Sequence, residues 1–172
     1  MESVRAATDH DRERLAELGR ELVVAIAAQR GGPMLVEPAL DGPNGADIGG
    51  RVADLLGRPD ALVLVGALDE VVVAFAVSTV TTTGPVDEDG RGVRRGRFEA
   101  CFVEEGGRGL GVGRLLLDRS LAWLGEQGCV GVDGTALPGD RAAKTFYEAA
   151  GFKARLLTMH RELGPTDGAG PG

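Results

Sequence analysis

Three of the six residues from Arg108 to Gly113, RGLGVG, are glycine, and they stand between an apolar stretch, ACFV, and a helix-like one, RLLLDRSLAWL. Glycine costs about 0.5–1 kcal/mol relative to alanine inside a regular element, so three at a strand-to-helix junction point to something that must approach the backbone. A helix start exposes amide donors and about half a positive charge, so the chemistry on offer is the binding of an anion, phosphate first. Spacing separates the phosphate turns. The P-loop needs G-x-x-x-x-G-K-[ST]; Gly106 and Gly111 are suitably separated, but Val112 and Gly113 occupy the lysine and hydroxyl positions. The dinucleotide fingerprint G-x-G-x-x-G needs a third glycine, and counting from Gly107 or Gly109 reaches Val112 or Arg114 instead. Asp133 stands where an acidic ribose partner would, which keeps a dinucleotide-binding protein as a minor alternative.

The elements that must hold this turn are legible in the periodicities. SVRAAT alternates as a short strand, and Thr8 with Asp11 forms a capping box for a helix whose stripe is Leu15, Leu18, Leu22 and Ile26, stopped by RGGP. Residues 31–45 are irregular, with three prolines; ADIGGRVADLL is a second helix with Ile48, Val52, Leu55 and Leu56 on one face. ALVLVGAL and VVVAFAVSTVTTT are β-branched strands joined at Asp69-Glu70 as a hairpin. A polar loop over residues 84–96 leads to a strand from Arg97 to Val103. After the glycines come a helix to about Gln127, a strand CVGVDGTAL, a helix GDRAAKTFYEAA and a strand KARLLTMHREL. In the long helix Val112, Leu115, Leu116, Trp123 and Leu124 form the core-facing side.

Composition bounds the class. At 172 residues, 43% hydrophobic and 26% charged, the chain suits one globular domain over residues 1–163, with a disordered GPTDGAGPG tail at 164–172. No apolar run reaches the roughly 18 residues of a membrane span, and the start lacks the apolar core of a signal peptide, so no membrane partner and a cytoplasmic location are expected. A net charge of −7 argues against nucleic acid as a partner. Cys101 and Cys129 read as reduced core thiols, and with His10 and His160 far apart in sequence no metal site is expected.

A third pattern does fit the glycine turn: R-x-x-G-x-G, met by Arg108, Gly111 and Gly113. Here the chain resembles the GNAT superfamily of acyl-CoA-dependent N-acyltransferases, and about 30 residues on GDRAAKTFYEAAGF resembles that family's second signature, with Asp140, Ala143, Phe146, Tyr147, Gly151 and Phe152 at its places. The departure is Asp140 where asparagine is common; it can still cap the helix but has no amide to donate to the pantetheine arm. The resemblance spans most of residues 3–163, and the order of elements agrees with it. It implies an α/β (α+β) fold with a mixed, mostly antiparallel central sheet flanked by helices. It also implies that backbone amides of Arg108, Gly109, Leu110, Gly111, Val112 and Gly113 bind the diphosphate of acetyl-CoA, the co-substrate, with charge from Arg108 and Arg114. Further contacts to the carrier would come from Phe102, Val103, Asp140, Ala143 and Phe146.

Acyl transfer from a thioester to an amine makes three demands. The ammonium must lose a proton, and Glu99, four residues before Val103 and about where several family members carry a glutamate, is the candidate base; a water chain, or an ion pair with Arg97 or Arg94 that leaves it structural, is the competing reading. Glu104 and Glu105 would oppose a bound diphosphate and are expected to point into solvent. The oxyanion needs a backbone donor around Phe102 to Glu104. The departing thiolate needs an acid, for which Tyr147, the chain's one tyrosine, is the candidate, unless it only packs beside Phe146. The resulting expectation is an N-acetyltransferase acting on a small-molecule or peptide primary amine. The alternative is a non-catalytic acyl-CoA-binding regulatory module. Residues 29–42 and 84–96 are where this family shapes its acceptor pocket, and neither segment carries a motif that names the acceptor. A homodimer is left open.

Overall fold

ALVLVGAL and VVVAFAVSTVTTT meet across Asp69 and Glu70, whose φ values of 45° and 70° are the left-handed pair that a two-residue hairpin turn requires. Around this hairpin the computed structural model, which describes residues 1–32, 48–84, 92–157 and 159, builds one five-stranded sheet. In chain order the elements are β1 (Glu2–Ala6), α1 (Arg12–Ala27), α2 (Ile48–Ala53), β2 (Ala61–Leu68), β3 (Val71–Thr83), β4 (Val93–Val103), α3 (Val112–Glu126), β5 (Val132–Gly134) and α4 (Arg141–Ala149). The strands lie in sequence order; β1 to β4 are antiparallel, and β5 joins β4 in parallel. The sheet is therefore mixed and mostly antiparallel, with helices on both faces, as expected.

Alternation along the strands sends neighbouring side chains to opposite faces. Val63, Val65, Phe75, Val77 and Phe102 pack with Leu15 and Leu18 of α1 and Val52 of α2. Leu64, Ala74, Ala76 and Phe98 face Val112, Leu116 and Leu117 of α3, with Phe146, Tyr147 and Phe152 alongside. The α3 side of the central strands is lined by small residues, and this lets the helix lie close. A Cβ on Gly66 would come within 2.5 Å of Val112 Cγ2, so glycine at this point of β2 is what allows the first turn of α3 to press against the sheet.

Several boundaries move from their expected places. β4 begins at Val93, four residues early, because Val93 to Gly96 pair with Val80 to Thr83 despite their polar composition. Only Val132–Gly134 of CVGVDGTAL forms a strand, since among the described residues β5 has β4 as its sole partner and pairs with only Gly96 to Phe98. In α3, Leu117 is buried, whereas Leu115 is 42% exposed and Trp123 only half-buried: the core-facing stripe runs Val112, Leu116, Leu117, Ser120, Leu124. The strand expected over residues 153–163 is not formed at 153–157 or 159, where Leu156, Leu157 and Met159 are exposed and no strand partners them among the described residues. Residues 158 and 160–163, His160 included, and the expected tail at 164–172 lie outside the described residues, as do 33–47 and 85–91.

The expected capping box is present and does more than start a helix. Asp11, 5% exposed, accepts from the Thr8 amide at 2.8 Å and from both terminal nitrogens of Arg5 at 2.7 and 2.8 Å, which ties β1 to the entry of α1. The Arg5 guanidinium, with the Thr8 donors, holds the Asp11 carboxyl down at about 2. A depressed carboxylate contributes stability that is present above its unfolded value and lost as pH falls through the folded one. Asp11→Asn is expected to cost about 2 kcal/mol at pH 7. The gap from the wild type, measured by urea unfolding, should close as pH falls from about 4 to 2.

Candidate active site

Between β4 and α3 the chain makes a short 3-10 turn, Glu105–Gly107, then crosses Arg108 to Gly111 before Val112 begins the helix. Gly109 and Gly111 have φ of +79° and +89°, a backbone that L side chains rarely adopt. Gly113 is different. Its φ is ordinary, and an added Cβ would only make normal contact, 3.4 Å from Val103 and 3.8 Å from Phe146, so nothing in the protein itself demands glycine there. The amides of Gly107 and Arg108 are bonded to Glu104 and Glu105, and those of Arg114 and Leu115 to Gly111. The five amides from Gly109 to Gly113 have no backbone acceptor among the described residues. They stand at the start of a 15-residue helix, where the macrodipole favours negative charge.

The side chains expected around this turn divide in their roles. Arg108 donates through Nε to the Val103 carbonyl at 3.0 Å and is exposed at the turn. Arg114 is turned away: its guanidinium meets Asp118 at 2.9 Å and the Ala149 carbonyl at 3.3 Å, clamping α3 to the end of α4. Leu110 is half-exposed, and Val112 is buried, so its side chain anchors the helix. Glu105 points to solvent as expected, but Glu104 does not. It is half-buried in an ion pair with Arg14 of α1, which also binds Glu17 and the Val72 carbonyl, and this pairing removes much of the repulsion Glu104 would exert on an anion. Between α1 (Arg20, Glu21, Val24, Ala25) and Phe102 of β4 with Glu105 and Arg108 of the turn after it lies an open cleft of about 370 Å3.

The neighbouring strand opens the second half of the site. β4 and β5 pair only from Gly96 to Phe98, so beyond Phe98 and Gly134 the two strands part and β4 runs on to Val103 with no strand paired to that edge among the described residues. The Glu104 amide is bonded to Val73 of β3 at 2.9 Å. Antiparallel alternation gives Phe102 the same orientation and turns the Val103 amide toward the open edge. Of the three expected oxyanion donors, then, Phe102 and Glu104 spend theirs on β3, and Val103 is the one that faces the gap.

Tyr147 sits where the strands separate. Its ring meets Phe98 edge-on at 6.2 Å and lies over Gly134, where an added Cβ would be 3.0 Å from the hydroxyl. Phe98 and Gly134 are the last residues that β4 and β5 pair. Phe146 and Phe152 flank the ring at 5.7 and 5.1 Å. Burial, with the nearby Cys101 and Asp140, pushes the phenol up to about 12, and burial alone pushes the Cys101 thiol to about 12. Asp140 caps α4 by accepting the Ala143 amide at 2.8 Å, so its carboxylate is engaged in holding the helix that carries Phe146 and Tyr147.

Glu99 lies on the other face. In the β3–β4 register Phe98 pairs with Ser78 and Ala100 with Val77, so Glu99 is the extra residue of a β-bulge. Uninterrupted alternation would put Phe98 and Phe102 on one face; the bulge sends Phe98 to the α3 side and Phe102 to the α1 side. Glu99 accepts from the Thr79 hydroxyl at 2.8 Å and lies 3.3 Å from Arg97 Nε, so the ion pair weighed from sequence is made with Arg97, while Arg94 turns to Gln127. Glu99 and Tyr147 thus lie on opposite faces of the sheet. The bulge, Thr79 and Arg14 escape a sequence reading, since each acts through a partner 20 to 90 residues away. Both cysteines are free, and no cluster of three metal-ligating side chains occurs among the described residues. No helix among them is long and apolar enough to cross a membrane.

The model of the acetyltransferase (GNAT) family matches residues 35–152, a span that includes the glycine turn, α3 and α4. The chain belongs to this family. No curated protein matches it. Among solved structures, a mutant of the BH1408 protein from Bacillus halodurans is similar in fold, with a TM-score of 0.74 at 20% identity, covering 94% of this chain and 99% of that one. A predicted acetyltransferase from Clostridium acetobutylicum with acetyl-CoA has a TM-score of 0.69 at 15% identity, covering 94% and 96%. The aminoglycoside N-acetyltransferase AAC(6')-Iy in complex with CoA has a TM-score of 0.68 at 15% identity, covering 94% and 95%.

Because Gly113 is not required by the protein's own packing, Gly113→Ala separates folding from anion binding. Alanine should raise stability by up to about 1 kcal/mol through helix propensity. Calorimetric titration with CoA should show binding weakened at least tenfold, and an unchanged affinity would mean that no ligand approaches this backbone.

Proposed function

We propose that this protein transfers an acetyl or other short acyl group from acetyl-CoA to a primary amine by direct attack, with coenzyme A as the leaving group. The observation that carries the reading is the run of five amides, Gly109 to Gly113, without backbone acceptors among the described residues, next to the gap between β4 and β5. A diphosphate has the charge and acceptor density for those amides, and a pantetheine arm is narrow enough to lie along the β4 edge beyond Phe98. The CoA and acetyl-CoA complexes among proteins of like fold support the same carrier.

In this reading the amine loses a proton to Glu99 as its nitrogen bonds to the acyl carbon, and the Val103 amide takes the charge that develops on the carbonyl oxygen. The carbon–sulfur bond then breaks with its electron pair on sulfur. Tyr147 faces the departing sulfur with a proton it holds at every working pH, because a phenol at about 12 ionises only as pH rises well beyond neutrality. A thiolate whose thiol titrates near 8.5 is a weaker base than that phenolate, and complete transfer from Tyr147 would be uphill by about 5 kcal/mol. Its contribution is a hydrogen bond that strengthens as sulfur becomes negative.

The test is release of free thiol from acetyl-CoA across a panel of primary amines. Tyr147→Phe is expected to lower kcat by about a hundredfold, of the order of 3 kcal/mol, with the affinity for CoA unchanged by calorimetry. The wild-type rate should show no alkaline limb from Tyr147 below about pH 10. Binding of acetyl-CoA without acylation of any amine would favour the regulatory module. In a melting screen acetyl-CoA at about 100 times its dissociation constant should stabilise by about 2.7 kcal/mol, and the same response to NAD instead would favour the dinucleotide reading.

A further inference from the structure

Glu99 has two carboxylate oxygens in unequal surroundings. Thr79 Oγ1 donates to Oε1 at 2.8 Å, and Arg97 Nε lies 3.3 Å from the same Oε1, while Oε2 has no partner among the described residues. Thr79 and Arg97 are opposite neighbours in the β3–β4 register. In a regular ladder Glu99 would stand across from Val77 and meet Thr79 only diagonally, 7–8 Å away between backbones. The bulge gives the place opposite Val77 to Ala100, leaves Glu99 unpaired, and brings its carboxylate onto the Thr79 hydroxyl.

We propose that Thr79 is a positioning residue for proton abstraction: with Arg97 it holds Oε1 of Glu99 so that Oε2 is the oxygen presented to the acceptor amine. The proposal rests on the reading of Glu99 as proton acceptor. A glutamate side chain has three rotatable torsions, and a 36%-exposed carboxylate with no anchor would sample several of them. Fixing one oxygen by a hydroxyl from the adjacent strand removes that freedom before the substrate arrives, and orientation of this kind acts on the rate of the chemical step rather than on carrier binding. Arg97 alone does not suffice, because its stem is flexible and its own side chain is half exposed. The Thr79 hydroxyl is held on a stiff β-branched side chain in the interior strand β3.

The experiment compares Thr79→Val, which keeps shape and strand preference, with Thr79→Ser, which keeps the hydroxyl, using the full chain, acetyl-CoA and the amine of highest turnover in the panel. Thr79→Val should lower kcat about tenfold with KM for acetyl-CoA and the melting temperature unchanged, and Thr79→Ser should stay within about threefold of wild type. Placed in a Glu99→Gln background, Thr79→Val should cause no further fall, because its effect passes through the carboxylate. Should the valine variant fold poorly, Thr79→Ala replaces it in the same comparison. The proposal is overturned by full kcat in Thr79→Val, by a serine variant as slow as the valine one, or by an equal loss in the Glu99→Gln background. If Glu99→Gln slows the reaction and Thr79→Val does not, the positioning role alone falls. If Glu99→Gln retains full kcat, or no amine in the panel is acylated, the base assignment falls and takes the positioning role with it.

Discussion

Everything in the candidate site follows from one constraint on the sheet: β5 accompanies β4 for three residues and then ends, while β4 continues. A strand edge exposed in the middle of a protein leaves amides and carbonyls that must find partners in water or in a ligand. Here that edge leads, through the short 3-10 turn at Glu105–Gly107, to a turn whose five amides have no backbone acceptor among the described residues. The two sets of donors flank that 3-10 turn, between the point where the strands part and the start of α3. An elongated carrier with an anionic end and a hydrogen-bonding arm fits donors arranged in that way.

These donors are held in place by apolar packing rather than by charge. α3 is pressed onto β2 at Gly66, and Val112, Leu116, Leu117 and Leu124 are almost wholly buried beneath it. The charged residues near the turn are largely spent on one another: Glu104 on Arg14, Arg114 on Asp118. In a chain of net charge −7, local pairing keeps the surroundings of an anion site from opposing its ligand. The aromatic group of Phe98, Phe146, Tyr147 and Phe152 does the corresponding work at the other end, fixing the phenol over the last paired residues of the sheet.

Features set by near neighbours in the chain were the ones a sequence could show. The turn at Asp69-Glu70, the cap of α4 at Asp140 and the glycine turn all depend on residues within four or five positions, and each is formed where its spacing indicates. Features set by distant partners were not. Leu115 and Trp123 were placed on the core stripe by helical spacing, yet Leu115 is 42% exposed and Trp123 only half-buried. KARLLTMHREL reads as a strand, but a strand forms only where an adjacent edge offers hydrogen bonds, and none pairs with residues 153–157 or 159 among the described residues.

Residue types and short spacings thus indicated the order of the main elements and the glycine turn at a helix start, and the family resemblance put forward Tyr147 and Glu99 as candidate proton-moving groups. Tertiary structure decided where these lie relative to one another. The bulge at Glu99 reversed the facing of β4 and turned the carboxylate to Thr79, the early end of β5 opened the gap, and pairing with β3 singled out the Val103 amide. Each of these outcomes depends on register between strands, and register is settled by side chains packing across the whole sheet rather than by any local run of residues.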